Sequence, residues 1–311
     1  MSGLLSFSSF LKLFEGGNAI KDSVGIKESQ FIGTLESIKS ELFPLIGFGP
    51  GDMNDKWVII GSIGKKENPD DQSGDLDIGY DVKWFSRTNG ISQKEASEFI
   101  ADNLENNELL YKIFGTNLPT KLMKGLNITS IGWPIEGDLK NGLVQVDFIP
   151  LSDMDWAEFI YYSPDYKKRE SRYKSAHRNW LFSAILSSRA NVLERDDQGN
   201  VFVYETPVLV LSDGLFWHTK SYKGKLVPRL ARSKKIDGSE RFVTNDPQEF
   251  IDFLLGPGFK QEDVRTFEDV FNIITSPGFE LEDKLGDIKT KYVEFLNRVG
   301  LELPIELNRI K

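Results

Sequence analysis

Two rhythms of apolar and polar positions run along this chain, and the balance between them shifts near residue 150. Before it, short apolar runs suit buried strands: Trp57 to Ile60, Leu76 to Val82, and the β-branched Leu143 to Ile149, with a strand or hairpin arm expected over 126–133. Between them the spacing predicts helices over 4–14, closing on Gly16-Gly17, and over 28–45, where Phe31, Ile32, Leu35, Ile38, Leu42 and Leu45 recur on one face. A third helix is expected over 92–104, carrying Ala96, Phe99, Ile100 and Leu104. Gly47 to Gly51 and the polar stretch 64–74 read as loops.

After Pro150 helical spacing dominates. A long helix is expected over 166–188, burying Tyr173, Ala176, Trp180, Leu181, Ala184 and Ile185. Two strands, 201–204 and 208–211, precede an Asp213-Gly214 turn. Three further helices are expected over 246–255, 262–274 and 281–298, the first opened by Asp246-Pro247. There is no internal repeat and no low-complexity segment. The shift in pattern divides the chain into residues 1–155 and a mainly helical 156–311 with a β-hairpin.

Composition narrows the chemistry. The 311 residues suffice for one large or two ordinary domains. Cysteine is absent, which excludes disulfides, thiolate metal sites and cysteine nucleophiles, and fits a reducing cytoplasm. Only His177 and His218 are available as imidazoles, so any metal is expected to be oxygen-ligated. The net charge of −9 argues against a generally basic, nucleic-acid-coating surface. No run reaches the length of a membrane span, and residues 4–14 lack the basic start and cleavage end of a signal peptide.

The chemistry-bearing residues are concentrated in the first half. Gly61-Ser62 follows the first apolar run, and Asp75-Leu76-Asp77-Ile78 opens the next. Asp75 and Asp77 are two apart, so on a strand they share a face. Two carboxylates about 4 Å apart repel by about 4 kcal/mol at an effective dielectric of 20. A fold that keeps such a pair calls for a hard divalent cation, and Mg²⁺ is commonly held by one or two carboxylates together with substrate phosphates. Asp147, inside Val144 to Phe148, supplies a third carboxylate. The Gly-Ser turn offers backbone amides to a phosphate.

Gly61-Ser62, Asp75-Leu76-Asp77 (preceded by Ser73-Gly74) and Asp147 together resemble the signature of the polymerase-β-like nucleotidyltransferase superfamily, over roughly residues 28–150. The resemblance implies an α+β fold, a nucleotidyltransferase core with a short mixed β-sheet followed by a largely helical C-terminal domain, with a nucleotide bound in the cleft between them. It implies Asp75, Asp77 and Asp147 as catalytic ligands of two Mg²⁺ (or Mn²⁺) ions, which clamp the attacking and leaving oxygens of an in-line displacement. It implies a nucleoside triphosphate as substrate, with Gly61, Ser62 and Ser73 near the phosphates and Lys65 and Lys66 as neutralising charges. Asn68-Pro69-Asp70-Asp71 departs from the short helix common at that place in the family, and Asp70 and Asp71 could compete for a cation. Asp81 is read as solvated.

Further basic groups widen the candidate set. In family members the helix after the third Asp often lines the nucleotide site, which suggests Arg172, Lys174 and Arg178, with His177 as a packing residue. Lys220 to Lys235 is the densest positive cluster and suits RNA or another nucleic-acid acceptor. Small-molecule and protein acceptors stay open, including a toxin-type modification of tRNA or protein. So does an alternative from another class, a catalytically inactive core serving as a nucleic-acid-binding accessory protein.

Overall fold

The computed structural model describes residues 19–49, 55–105, 107–124, 127–195, 197, 199, 201–221, 234–235 and 240–310. The helix expected at 4–14 lies outside them. So do Lys223, Lys225, Arg229 and Arg232 of the basic cluster. Two compact units divide between Lys174 and Ser175, later in the chain than the shift in pattern at residue 155. Among the described residues, no helix is long and apolar enough to cross a membrane. The fold is mixed α and β.

A five-stranded mixed sheet organises the first unit. β1 (Ile26–Lys27) and β3 (Gln72–Ser73) form a separate antiparallel pair. The main sheet comprises β2 (Trp57–Ile60), β4 (Asp75–Asp81), β5 (Thr120–Met123), β6 (Ile128–Pro134) and β7 (Leu143–Leu151), in the order β2-β4-β7-β6-β5. Only β4 and β7 run parallel. Such a pair needs a long crossover, supplied by α2 (Val82–Asn89), α3 (Ala96–Leu104), α4 (Glu108–Phe114) and the β5–β6 arm. Residues 28–45 are helical as expected, with α1 (Phe31–Ser37) continuing through one wide turn into a tight one at Phe43–Leu45. Thr34, Ile38 and Leu42 form its buried stripe, while Ile32 stands exposed to one side of it.

Alternation along the strands assigns the two faces of this sheet. Leu76, Ile78, Tyr80, Val144, Val146, Phe148, Ile131 and Trp133 point into one apolar core, closed by Phe43, Phe48 and Phe85. Phe48 packs within ring-to-ring distances of 4.8 Å to Phe43 and 5.1 Å to Phe85. The odd-numbered residues of β4 and β7 face the other way. The start of α2, absent from the hydrophobic pattern, is set by Asp81, whose carboxylate accepts from Lys83 N–H and Trp84 N–H at 2.9 Å each. Asp81 is therefore a helix cap rather than a merely solvated acid. Asp153 caps α5 (Met154–Ile160) in the same way, through Trp156 N–H at 3.0 Å.

The second unit is richer in strand than a helical domain with a hairpin. α6 (Ser175–Ser187), α7 (Pro247–Leu255), α8 (Phe267–Ile274) and α9 (Leu285–Val299) accompany a five-stranded sheet of β8 (Asn191–Arg195), β9 (Val201–Val210), β10 (Gly214–Ser221), β11 (Lys234–Lys235) and β12 (Arg241–Thr244). β9 is one continuous strand instead of two. Pro207 is tolerated within it because β8 pairs only as far as Glu205, so Pro207 interrupts no ladder on that side.

The helix expected over 166–188 starts only at Ser175. Asp165 caps a single tight turn at Tyr166–Lys168, Arg169 takes φ 55°, and Ser171 Oγ accepts from Tyr173 N–H at 2.9 Å. These local side-chain bonds outcompete the helix. Lys174 consequently shares no helical face with His177 and Arg178.

Candidate metal centre

The register of the parallel pair builds the site. Asp75 lies opposite Gln145, and Asp77 lies opposite Asp147. Because cross-strand neighbours share a face, the three carboxylates converge: one ligand oxygen from each lies within 4.8 Å of the others. Asp147 is buried; Asp75 and Asp77 are partly so. Burial first, then the Asp75 and Asp147 carboxylates, holds the Asp77 carboxyl well above the usual carboxylate range. Burial also raises Asp147, while the Ser130 hydroxyl and the Gln145 amide pull the other way. Three acidic groups held this close, two with raised proton affinity, form a donor set of the kind hard divalent cations take.

The turn after β2 abuts the cluster. Ile60 is the register partner of Asp77, and Gly61 adopts φ +89°, a conformation natural to glycine. A Cβ on Gly61 would lie 3.4 Å from Asp77 Oδ2, so the bare backbone approaches the carboxylate closely. Ser62 is partly exposed, and its carbonyl accepts from Lys65 N–H at 3.3 Å. Ser73 is buried on β3, opposite Ile26.

The loop from Gly61 to Asp71 contains no helix but is strapped on both sides. Glu28, its side chain only 7% exposed, accepts from Gly64 N–H at 2.9 Å and pairs with Lys167 at 2.8 Å. Lys27 pairs with Asp70 at 2.8 Å, and Arg169 with Glu67 at 3.2 Å. Asp71 accepts from Asn68 N–H at 3.2 Å. Asp70 and Asp71 are thus engaged within the loop and its strap.

The basic candidates separate. Lys65 Nζ donates to the Ser163 carbonyl at 2.9 Å and lies 5.3 Å from the Tyr162 ring centre, so it ties the loop to the 162–170 segment. Lys66 is different. Burial and the nearby Lys174 ammonium lower its proton affinity, while Asp71, Glu28 and Asp75 partly offset them. Lys66 thus lies within electrostatic reach of both Lys174 and Asp75. Arg172 is exposed and lies over the Tyr173 ring at 5.7 Å.

In the second unit Arg178 is fully buried, with Nη1 donating to the Arg265 carbonyl at 3.1 Å. His177 is buried and hydrogen-bonded to the Tyr292 hydroxyl at 3.0 Å, in keeping with a packing role. Of the Lys220–Lys235 cluster, Lys220 pairs with Lys235 in the β10–β11 register, and burial lowers the Lys220 ammonium.

Two residues that hold the cluster and its adjoining turn were not among the candidates the sequence offered. Glu28 gives no signal there. Gln145 does: it is a polar residue in an apolar strand, two before Asp147 and so on the same face.

No protein-family model matches the chain, and neither a curated protein nor a solved structure matches it.

Proposed function

We propose that the protein is a metal-dependent nucleotidyltransferase of the polymerase-β-like kind, moving a nucleoside monophosphate from a nucleoside triphosphate to a hydroxyl. The observation that carries this reading is the convergence of Asp75, Asp77 and Asp147, with ligand oxygens within 4.8 Å, beside the glycine turn at Gly61. In the step, the acceptor oxygen bonds to the α-phosphorus, the bond to the pyrophosphate oxygen breaks, pyrophosphate leaves, and the hydroxyl proton passes to solvent. Mg²⁺ or Mn²⁺ held by the three carboxylates would supply charge neutralisation and lower the pKa of the attacking hydroxyl. Gly61 lets backbone come close to the cluster. Lys66, within electrostatic reach of Asp75, would supply positive charge to the departing pyrophosphate.

The test is transfer of label from each of four α-labelled ribonucleoside triphosphates into acceptors of a cell extract, with Mg²⁺ and with Mn²⁺. A product that digests with nuclease would name RNA as acceptor, and one that digests with protease a protein. Absence of label under every condition would reject the enzyme reading.

The two lysines of the loop separate by experiment. Lys66→Met is expected to raise KM for the triphosphate about tenfold, the equivalent of about 1.4 kcal/mol. Lys65→Met is expected to leave that KM within about twofold and to loosen the 162–170 segment, read as faster hydrogen exchange there. Equal effects of both substitutions on KM would refute the distinction.

A further inference from the structure

Gln145 is a neutral buried residue with partners at both ends of its amide. Its side chain is buried on β7, and its Nε2 donates to both oxygens of Asp147, at 3.1 and 3.0 Å. Its Oε1 accepts from Ala19 N–H at 2.9 Å and Ile20 N–H at 3.0 Å. A carboxylate on one side and two backbone donors on the other allow only this orientation of the amide. Both acceptor lone pairs are used, and a donor hydrogen is shared between the two Asp147 oxygens, which holds the amide from both ends.

The surrounding fold is built to admit this link. Gly132 is the register partner of Gln145 on β6. A Cβ there would stand 2.9 Å from Pro119 Cγ and 3.1 Å from Ile20 Cγ2, so only glycine leaves room for Ile20. The segment then continues around the site. Val24 N–H donates to the Leu143 carbonyl at 2.8 Å, Ile26 pairs with Ser73, and Glu28 reaches Gly64. Residues 19–28 therefore touch the strand of Asp147, the strand leading to Asp75, and the turn after β2.

We propose that Gln145 is a positioning residue that fixes the Asp147 carboxylate and couples it to the chain at Ala19–Ile20. The proposal rests on the cation-binding reading of the cluster. The hydrogen bond shared between the two Asp147 oxygens orients the carboxylate and leaves further lone pairs for a cation. Order in the Ala19–Ile20 segment and loading of the cluster are then two ends of one link. Partners of this kind typically change metal affinity about 10- to 100-fold when removed.

Mn²⁺ alone is the probe, titrated into the full chain and followed by electron paramagnetic resonance. Wild type is expected to bind, Asp77→Asn to lose binding, and folded Gln145→Met to bind about 10- to 100-fold more weakly. Hydrogen exchange adds a readout that needs no Gln145 variant to fold. Mn²⁺ is expected to slow exchange at Ala19 and Ile20 in wild type and not in Asp147→Asn. Binding by Gln145→Met equal to wild type, or exchange at Ala19–Ile20 indifferent to Mn²⁺ in a wild type that binds it, would overturn the positioning role alone. No binding by wild type would instead remove the cation-binding reading and this proposal with it.

Discussion

Asp77→Asn is expected to abolish nucleotidyl transfer and, in the same protein, to raise the melting temperature of the metal-free form. The two effects have one origin. Asp77 is the middle carboxylate of the cluster, crowded by Asp75 two residues away on β4 and by Asp147 opposite it on β7. Removing one ligand of three is expected to cost about 4 kcal/mol of transition-state stabilisation, about a thousandfold in rate. Without metal, the same charge is only a source of repulsion, about 4 kcal/mol per fully ionised pair at 4 Å and an effective dielectric of 20. Protonation of the raised carboxyls relieves much of this, so a gain of about 1–2 kcal/mol is the reasonable expectation, about 2–4 °C per kcal/mol for a unit of this size. Calorimetry in chelator and a transfer assay on the same preparations test both halves. A variant that is inactive but less stable would point to a merely structural Asp77, and one that is fully active would discard it as a metal ligand.

The contribution of the carboxylate cluster to the stability of the metal-free protein is expected to respond to pH in a direction opposite to that of ordinary surface carboxylates. Asp77 and Asp147 both have raised proton affinity in the folded state, burial being the first cause of each. Between the unfolded value, about 3.9, and the raised folded values, the native state binds more protons than the unfolded chain. Their contribution to stability therefore falls as pH rises through that window. Asp55, Asp70, Glu95 and Asp165 are lowered and act in the other sense, losing their contribution as pH falls. The difference between wild type and Asp77→Asn isolates the cluster. That difference is expected to be small near pH 4 and to grow towards pH 8. Saturating Mg²⁺ at pH 8 is expected to reverse its sign, because the cation binds only the intact native cluster. A difference that does not change with pH would show that the carboxylates are not electrostatically coupled.

Much of this arrangement can be read from the chain, where a single period governs a segment. β2, β4 and β7 stand where apolar runs predict them, and the two-residue spacing of Asp75 and Asp77 identifies their common face. The elements that escaped are governed by local polar bonds instead. α2 is opened by the Asp81 cap, and the segment 166–174 is broken by Asp165, Arg169 and Ser171. Long flexible side chains are the other limit. Lys65 and Lys66 are neighbours in one loop, yet one turns to the Ser163 carbonyl and the other comes under the influence of Asp75 and Lys174. Arg178 stands in a basic run, but the second unit encloses it against the Arg265 carbonyl. Neither outcome leaves a trace in spacing or composition.

The pairing of β4 with β7 carries one more consequence, for how reliably the chain finds its native sheet. A slip of one residue in β7 would exchange its two faces, sending Asp147 towards Phe43, Phe48 and Phe85 and bringing Phe148 out beside Asp77. A carboxylate among aromatic rings has no partner to offset its lost hydration, a cost of several kcal/mol. Asp147 thus also weighs against misalignment: a slipped sheet would bury its carboxylate with no partner to offset the lost hydration.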